Sequence, residues 1–180
     1  MKKEELPNES QDLIGKWDFG DDDGTTIVDS SGNGNDGTFV GGTPVYGERV
    51  LPTLGSPTIE FDNDASDYIN AGSGIDLANK SFTLSAWAKK EGTDFDTIFS
   101  QGPSENNKGM FLAIANNIRF GFYNNDLNTA DVSISDGWHL ITATYDANTR
   151  ARAVYIDGTL YESDTASVNF QGSADFLIGY

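Results

Sequence analysis

The chain has 180 residues with no cysteine and a single histidine, and its 28 acidic side chains against 11 basic ones leave a formal charge of −17. That length suits one β-rich domain rather than two small ones and is enough to bury a core without disulfides. So acidic a surface repels nucleic acid and anionic membranes, the cysteine and histidine counts exclude thiol and ordinary zinc chemistry, and no apolar run is long enough to span a bilayer.

Residues 1–12 read as a polar, flexible arm, and Met1–Pro7 is charged with no apolar signal core. The residues leave open whether the chain carries no signal, has lost one, or is one domain of a larger protein. Leu13–Phe19 is the first strand-like run, followed by an acidic turn over Gly20–Gly24 and more β character at Thr26–Val28. Ile27–Gly37 then packs three glycines, two asparagines and two aspartates into a span no helix would tolerate. Gly37–Val40 is short and extended, and Pro44, Pro52 and Pro57 break the next stretch into edge pieces. Ile59–Asp62 alternates as a half-buried strand, and Tyr68–Asn70 continues it. Phe82–Lys89 places Phe82, Leu84, Ala86 and Ala88 on one face. Thr97–Ser100, Met110–Ala115 and Ile118–Tyr123 follow, with Asn116-Asn117 as a hairpin tip because asparagine tolerates positive φ. Trp138–Tyr145 and Ala153–Ile156 are strands. Asp157-Gly158 predicts a type I′ hairpin into Thr159–Glu162, and Phe176–Ile178 is strand-like again. Asp76–Asn79 is the one helical turn expected. Many short strands at regular spacing predict a sandwich or barrel.

Five segments, in this order, resemble the laminin G-like jelly roll of the concanavalin A-like lectin and glucanase superfamily. They are Asp29–Gly37, Phe61-Asp62 with Asp67-Tyr68-Ile69, Phe82–Trp87, Gly137-Trp138-His139 through Thr144-Tyr145-Asp146, and Val154–Gly158. The resemblance covers residues 13–180. It implies an all-β jelly-roll sandwich of two antiparallel sheets, a role in carbohydrate recognition and a structural calcium near the first loop. Two departures stand out. Gly20 occupies the position after the first aromatic strand where the family usually has an acidic residue. The family's usual last strand, of Ile-Asp-Glu-Val type and lying beside the first, has no counterpart before Tyr180. The missing strand is then expected either to have been lost by truncation or to be replaced by the N-terminal arm or by a strand from a partner, since an uncovered neighbour strand is an adhesive edge.

Asp29, Asn33, Asn35 and Asp36, with Asp21 close in sequence, supply the oxygen types that calcium prefers. The same residues also suit a loop closed by its own Asx turns. Glu60, Asp62 and Asp64 mimic the carboxylates of the superfamily's glucanases at period two, but the segment matches a non-catalytic part of the fold and reads as a solvated strand end. His139, at a strand start, reads as structural. No catalytic set emerges, and the chain is expected not to be an enzyme. Trp87, Thr142, Thr144 and Tyr155 point away from the apolar rows of their strands, which suits either a sugar-binding face or a second small core under loops. Glu105, Asn106 and Asn107 in one polar loop, and Tyr123 and Asn125 in another, are further ligand candidates. The expected role is recognition of a glycan or polysaccharide, outside the cell or at its surface. The alternative is a structural or adhesive decoration domain of a cell or virion surface with a protein interface, and a glycoside hydrolase or lyase stands third.

Overall fold

The computed structural model describes residues 12–20, 24–47, 57–62, 66–90, 95–129, 134 and 137–179. Asp21, Asp64, Pro52, most of the Gly20–Gly24 turn and residues 1–11 of the expected arm lie outside the described residues. Two antiparallel sheets form a sandwich. The larger has the spatial order β1 (Thr26–Ile27), β2 (Gly37–Val40), β5 (Tyr68–Asn70), β14 (Phe176–Ile178), β7 (Asp96–Gln101), β8 (Met110–Ile114), β9 (Ile118–Gly121) and β10 (Asp126–Asn128). The smaller runs β13 (Thr159–Thr165), β12 (Ala151–Ile156), β11 (His139–Tyr145) and β6 (Phe82–Ala88). β3 (Val45–Gly47) and β4 (Thr58–Glu60) make a separate hairpin. The jumps in strand order, such as β14 between β5 and β7, are those of a jelly roll rather than a meander. Among the described residues no helix is long and apolar enough to cross a membrane.

Alternation places the core. Phe82 and Leu84 of β6, Ile141, Ala143 and Tyr145 of β11, and Val154 of β12 turn inward, against Leu112, Ile118 and Phe120 of the larger sheet. Aromatic rings join the layers. Phe82 meets Phe120 edge-on with centroids 6.1 Å apart, and Phe122 meets Tyr145 at 4.9 Å. Each such pair adds about 1 kcal/mol beyond the area it buries.

The Asp157-Gly158 hairpin forms as expected, with both residues in the left-handed region (φ 51° and 77°). The Asn116-Asn117 tip also forms, but neither asparagine has positive φ; Tyr123 and Asn124 take that conformation in the next turn instead. Asp76–Asn79 is a hydrogen-bonded turn, closed by Lys80 N–H to the Leu77 carbonyl, and not a helix.

Leu13–Phe19 differs most from expectation. It joins neither sheet, and its backbone is held by the Asp29–Asp36 loop instead. Lys16 N–H donates to Asp29 Oδ1 (2.9 Å), Ser30 N–H to the Lys16 carbonyl (2.8 Å), and Trp17 Nε1–H to the Asn35 carbonyl (3.0 Å). The Trp17 ring stacks on Phe176, which ties this segment to the core. Among the described residues no strand pairs with its other side.

Candidate functional site

The side chains of the smaller sheet that point away from the core form one continuous face. Thr83, Ser85 and Trp87 of β6 lie opposite Thr144, Thr142 and Leu140 of β11. Thr142 and Thr144 in turn lie opposite Tyr155 and Ala153 of β12. The next pairing sets Leu160 of β13 against Tyr155. Ser85 Oγ and Thr142 Oγ1 are 2.8 Å apart, so two hydroxyls share one hydrogen bond and keep free lone pairs and a proton facing outward. Trp87 is 38% exposed and Leu160 54% exposed, and Thr142 and Tyr155 are half-buried. A loop-covered second core would have hidden the indole, so the aromatics line an accessible face.

At one end this face deepens into a concavity of about 620 Å³, lined by Thr83, Thr144, Tyr155, Leu160 and Ser163. Ser81 and Asp146 close its end, and Ser81 Oγ accepts the Ala147 N–H. Asp146 Oδ1 accepts the backbone N–H groups of Asn148 and Thr149, and these bonds hold its carboxyl below the usual range, so it is ionised at neutral pH. Arg152 and Asp164 also border the concavity, but their side chains lie on the inward side of the sheet, where Arg152 stands opposite Tyr145 and Asp164 opposite Arg152. The guanidinium is 2% exposed, bonded to both Asp164 oxygens (2.8 and 2.6 Å) and to the Asn125 carbonyl, and lies over the Phe122 ring. From Trp87 to Thr83 the face runs four residues, roughly 13 Å at strand rise.

The sequence-derived ligand candidates therefore fall into two groups. Trp87, Thr142 and Tyr155 share this face. Glu105, Asn106, Asn107, Tyr123 and Asn125 lie on two loops that bond to each other and do not line the concavity. Asn124 donates to Asn106 (2.6 Å) and Asn125 to Asn107 (2.9 Å). Asn125, 8% exposed, also donates to the Val168 carbonyl and accepts from Ser167 N–H. Its amide is thus engaged in holding loops together. Glu105 pairs with Lys108 at the surface. Thr83 and Ser85 share the face of Trp87 as period two predicts, and the residues not foreseen are Leu160, Ser163 and the Arg152–Asp164 pair. Leu160 was within reach, because a two-residue Asp-Gly turn places it opposite Tyr155.

The Asp29–Asp36 loop is closed by its own hydrogen bonds. Asp29, 5% exposed, accepts from the backbone N–H groups of Lys16, Ser31 and Asn35 (each 2.9 Å), and its own N–H donates to Asp36 Oδ1 (2.8 Å). Burial pushes the Asp29 carboxyl up, but the Ser31 hydroxyl and those amides more than offset it and hold it below the usual range. Asn33 and Asn35 turn their NH2 groups toward the Leu13 and Ile14 carbonyls. Gly32 and Gly34, with φ of 87° and 75°, let the chain bend around these bonds. A calcium cage needs six to eight oxygens aimed at one point. As placed, these four side chains do not supply one, and no cluster of three or more acidic or histidine side chains is positioned for a metal among the described residues. Whether the loop also takes calcium is read by comparing the melting temperature in calcium and in magnesium at equal ionic strength, where equal rises would leave the loop closed by its own hydrogen bonds alone. A calcium-specific rise in differential scanning fluorimetry would reveal a cage these hydrogen bonds do not describe.

His139 Nδ1 lies 2.7 Å from Asp157, which also accepts the Leu140 N–H; the pair locks the β12–β13 turn against β11. The His139 bond and that amide hold the Asp157 carboxyl below its usual range. Glu60 is on the β3–β4 hairpin, and Asp62 N–H donates to Asp67; neither residue lines the concavity.

The family model for the concanavalin A-like lectin/glucanases superfamily matches residues 63–180, about two thirds of the chain. The chain belongs to the concanavalin A-like lectin/glucanases superfamily. The Asp29–Gly37 loop lies outside the matched range, yet the structure packs it onto the same sandwich. Among solved structures, domain 4 of AbnA, an extracellular arabinanase of Geobacillus stearothermophilus solved with arabinotriose, has 20% identity and a TM-score of 0.67 over 92% of this chain and 82% of its own. The crystal structure of HCR/D-Sa-GBL1/C has 17% identity and a TM-score of 0.60, and this chain spans 43% of its length. No curated protein matches in sequence. At these identities the structural likeness establishes the jelly roll of this superfamily member and no more.

Proposed function

We propose that this domain is a non-catalytic carbohydrate-recognition module that binds a glycan or polysaccharide on the outer face of the smaller sheet, outside the cell or at its surface. The observation that carries this reading is the Ser85–Thr142 hydroxyl pair on the same sheet face as exposed Trp87 and half-buried Tyr155, the last of which also lines the concavity. Sugars present C–H faces that pack on aromatic rings and hydroxyls that exchange hydrogen bonds with hydroxyls, and this face offers both at once. A face of some 13 Å suits an oligosaccharide stretch rather than one ring. The arabinotriose complex of AbnA domain 4, on a similar sandwich, supports the substrate class. The protein-interface alternative draws on edge strand β13, where Leu160 and Tyr161 are 54% and 37% exposed.

Tyr155→Ala and Trp87→Ala are each expected to weaken binding to immobilised polysaccharide about tenfold, ~1.4 kcal/mol, while Glu105→Ala and Asn106→Ala leave it unchanged. Affinity electrophoresis across a polysaccharide panel reads this directly. Loss in the loop variants with retention in the face variants would move the site to the loops. No glycan binding together with a self-associated protein in size-exclusion chromatography would favour the interface alternative.

A further inference from the structure

The polar groups of this face are almost all uncharged hydroxyls, and the ionised groups around its concavity sum to a negative charge. Around the concavity the charged side chains are Asp146, Asp164 and Arg152. Arg152 is buried and bonded to Asp164, so its charge is neutralised where it sits. Asp146 stays ionised, held so by two backbone amides. The cations flanking the sheet are engaged as well. Lys80 pairs with Asp76 at 3.0 Å, Lys90 with Asp96 at 2.6 Å, and Arg150 donates to the Ser167 carbonyl. Lys89, next in the outward row after Trp87, also has a partner. In the concavity an anionic sugar would thus meet the Asp146 carboxylate, with Arg152, the cation among the described lining residues, already paired with Asp164, under the field of a chain carrying −17. Burying its sulfate or carboxylate there without a counter-charge is costly, whereas a neutral sugar needs only the hydroxyls and the rings.

We propose that the outer face selects neutral glycans and rejects their anionic counterparts. This rests on the glycan reading above. The test uses matched pairs that differ only in charge: arabinan, laminarin and dextran, each beside its sulfated form, titrated against the intact chain at about 20 mM and about 0.5 M salt. For any pair that binds, the neutral member is expected to bind at least about tenfold tighter at low salt, and the gap is expected to narrow at high salt as charges are screened. Ser163→Lys, which adds a cation at an exposed position lining the concavity, is expected to shrink the low-salt gap severalfold, read as the ratio of the two members' affinities in the same variant. Equal affinities, or a preference for the sulfated member, would overturn the selectivity and leave the glycan reading standing. A gap that ignores both salt and Ser163→Lys would replace charge with steric exclusion and overturn it too. If neither member of any pair binds, the glycan reading falls and takes this inference with it.

Discussion

Asp29→Ala is expected to lower the unfolding free energy by about 3–5 kcal/mol, because it strips a buried, charged acceptor from three backbone N–H donors at once. For a chain of this size that is a fall of order 10 °C in melting temperature. Against a total stability of about 5–15 kcal/mol it is a large fraction. The lesion should be local first. Lys16 and, through Asn35, Trp17 are held by this loop, so trypsin should cut after Lys16 far faster in the variant, and Trp17 emission should move to the red. Asp29→Asn keeps the shape and one acceptor oxygen but loses the charge, so it should cost less. The pH dependence has a defined sign. The folded Asp29 carboxyl lies below its ordinary value of 3.8. Its contribution is therefore fully present above about pH 4–5 and is lost as pH falls through the folded pKa. Urea titrations should show the acid limb of the stability profile flattened in Asp29→Asn. A change below about 0.5 kcal/mol in Asp29→Ala would mean that the loop does not hold the N-terminal segment.

How far these features were legible in the sequence depends on the distance over which each is specified. Strands with strict alternation, such as Phe82–Ala88 and His139–Tyr145, declare both their identity and their inward face, because period two separates the rows within a single segment. The Asp157-Gly158 turn likewise carries its own geometry. Two things were not legible. The Asp29–Asp36 loop has a composition that serves a cation or a set of backbone amides equally well, and only the position of Leu13–Asp18 against it shows which donors it meets. The second is register. A two-residue turn with unbroken pairing would set Arg152 opposite Ser163. The bulge between Val154 and Tyr155 shifts the ladder by one and brings Asp164 there instead. No residue in that stretch announces a bulge. The loop asparagines are ambiguous in sequence for another reason: polar residues on sandwich loops look alike whether they face a ligand or bond to each other, as Asn107 and Asn125 do.

That bulge leads to the second large expected effect. Arg152→Met is expected to destabilise by about 3 kcal/mol, the lower part of the range for breaking a buried ion pair, since Asp164 keeps roughly a third of its side chain in water. The loss has three sources: an uncompensated Asp164, an Asn125 carbonyl left without its donor, and a guanidinium lifted off the Phe122 ring. Arg152→Met with Asp164→Leu should recover most of it, because no unpaired charge then remains and Met and Leu fill similar volume. A double-mutant cycle by urea unfolding would read a coupling of about 2 kcal/mol. Additive single-variant losses would mean that packing over Phe122, not the ion pair, is what Arg152 supplies. The same substitution reports on the binding face. Asp164 lines the concavity, and without Arg152 its charge is no longer neutralised. If the domain still folds, Arg152→Met should therefore reject sulfated glycans more strongly than the parent, while its affinity for the neutral members changes little. A pair hidden under the sheet would then set the charge of the surface above it, and the position of one bulge would determine both the stability of the small sheet and the chemistry of what it binds.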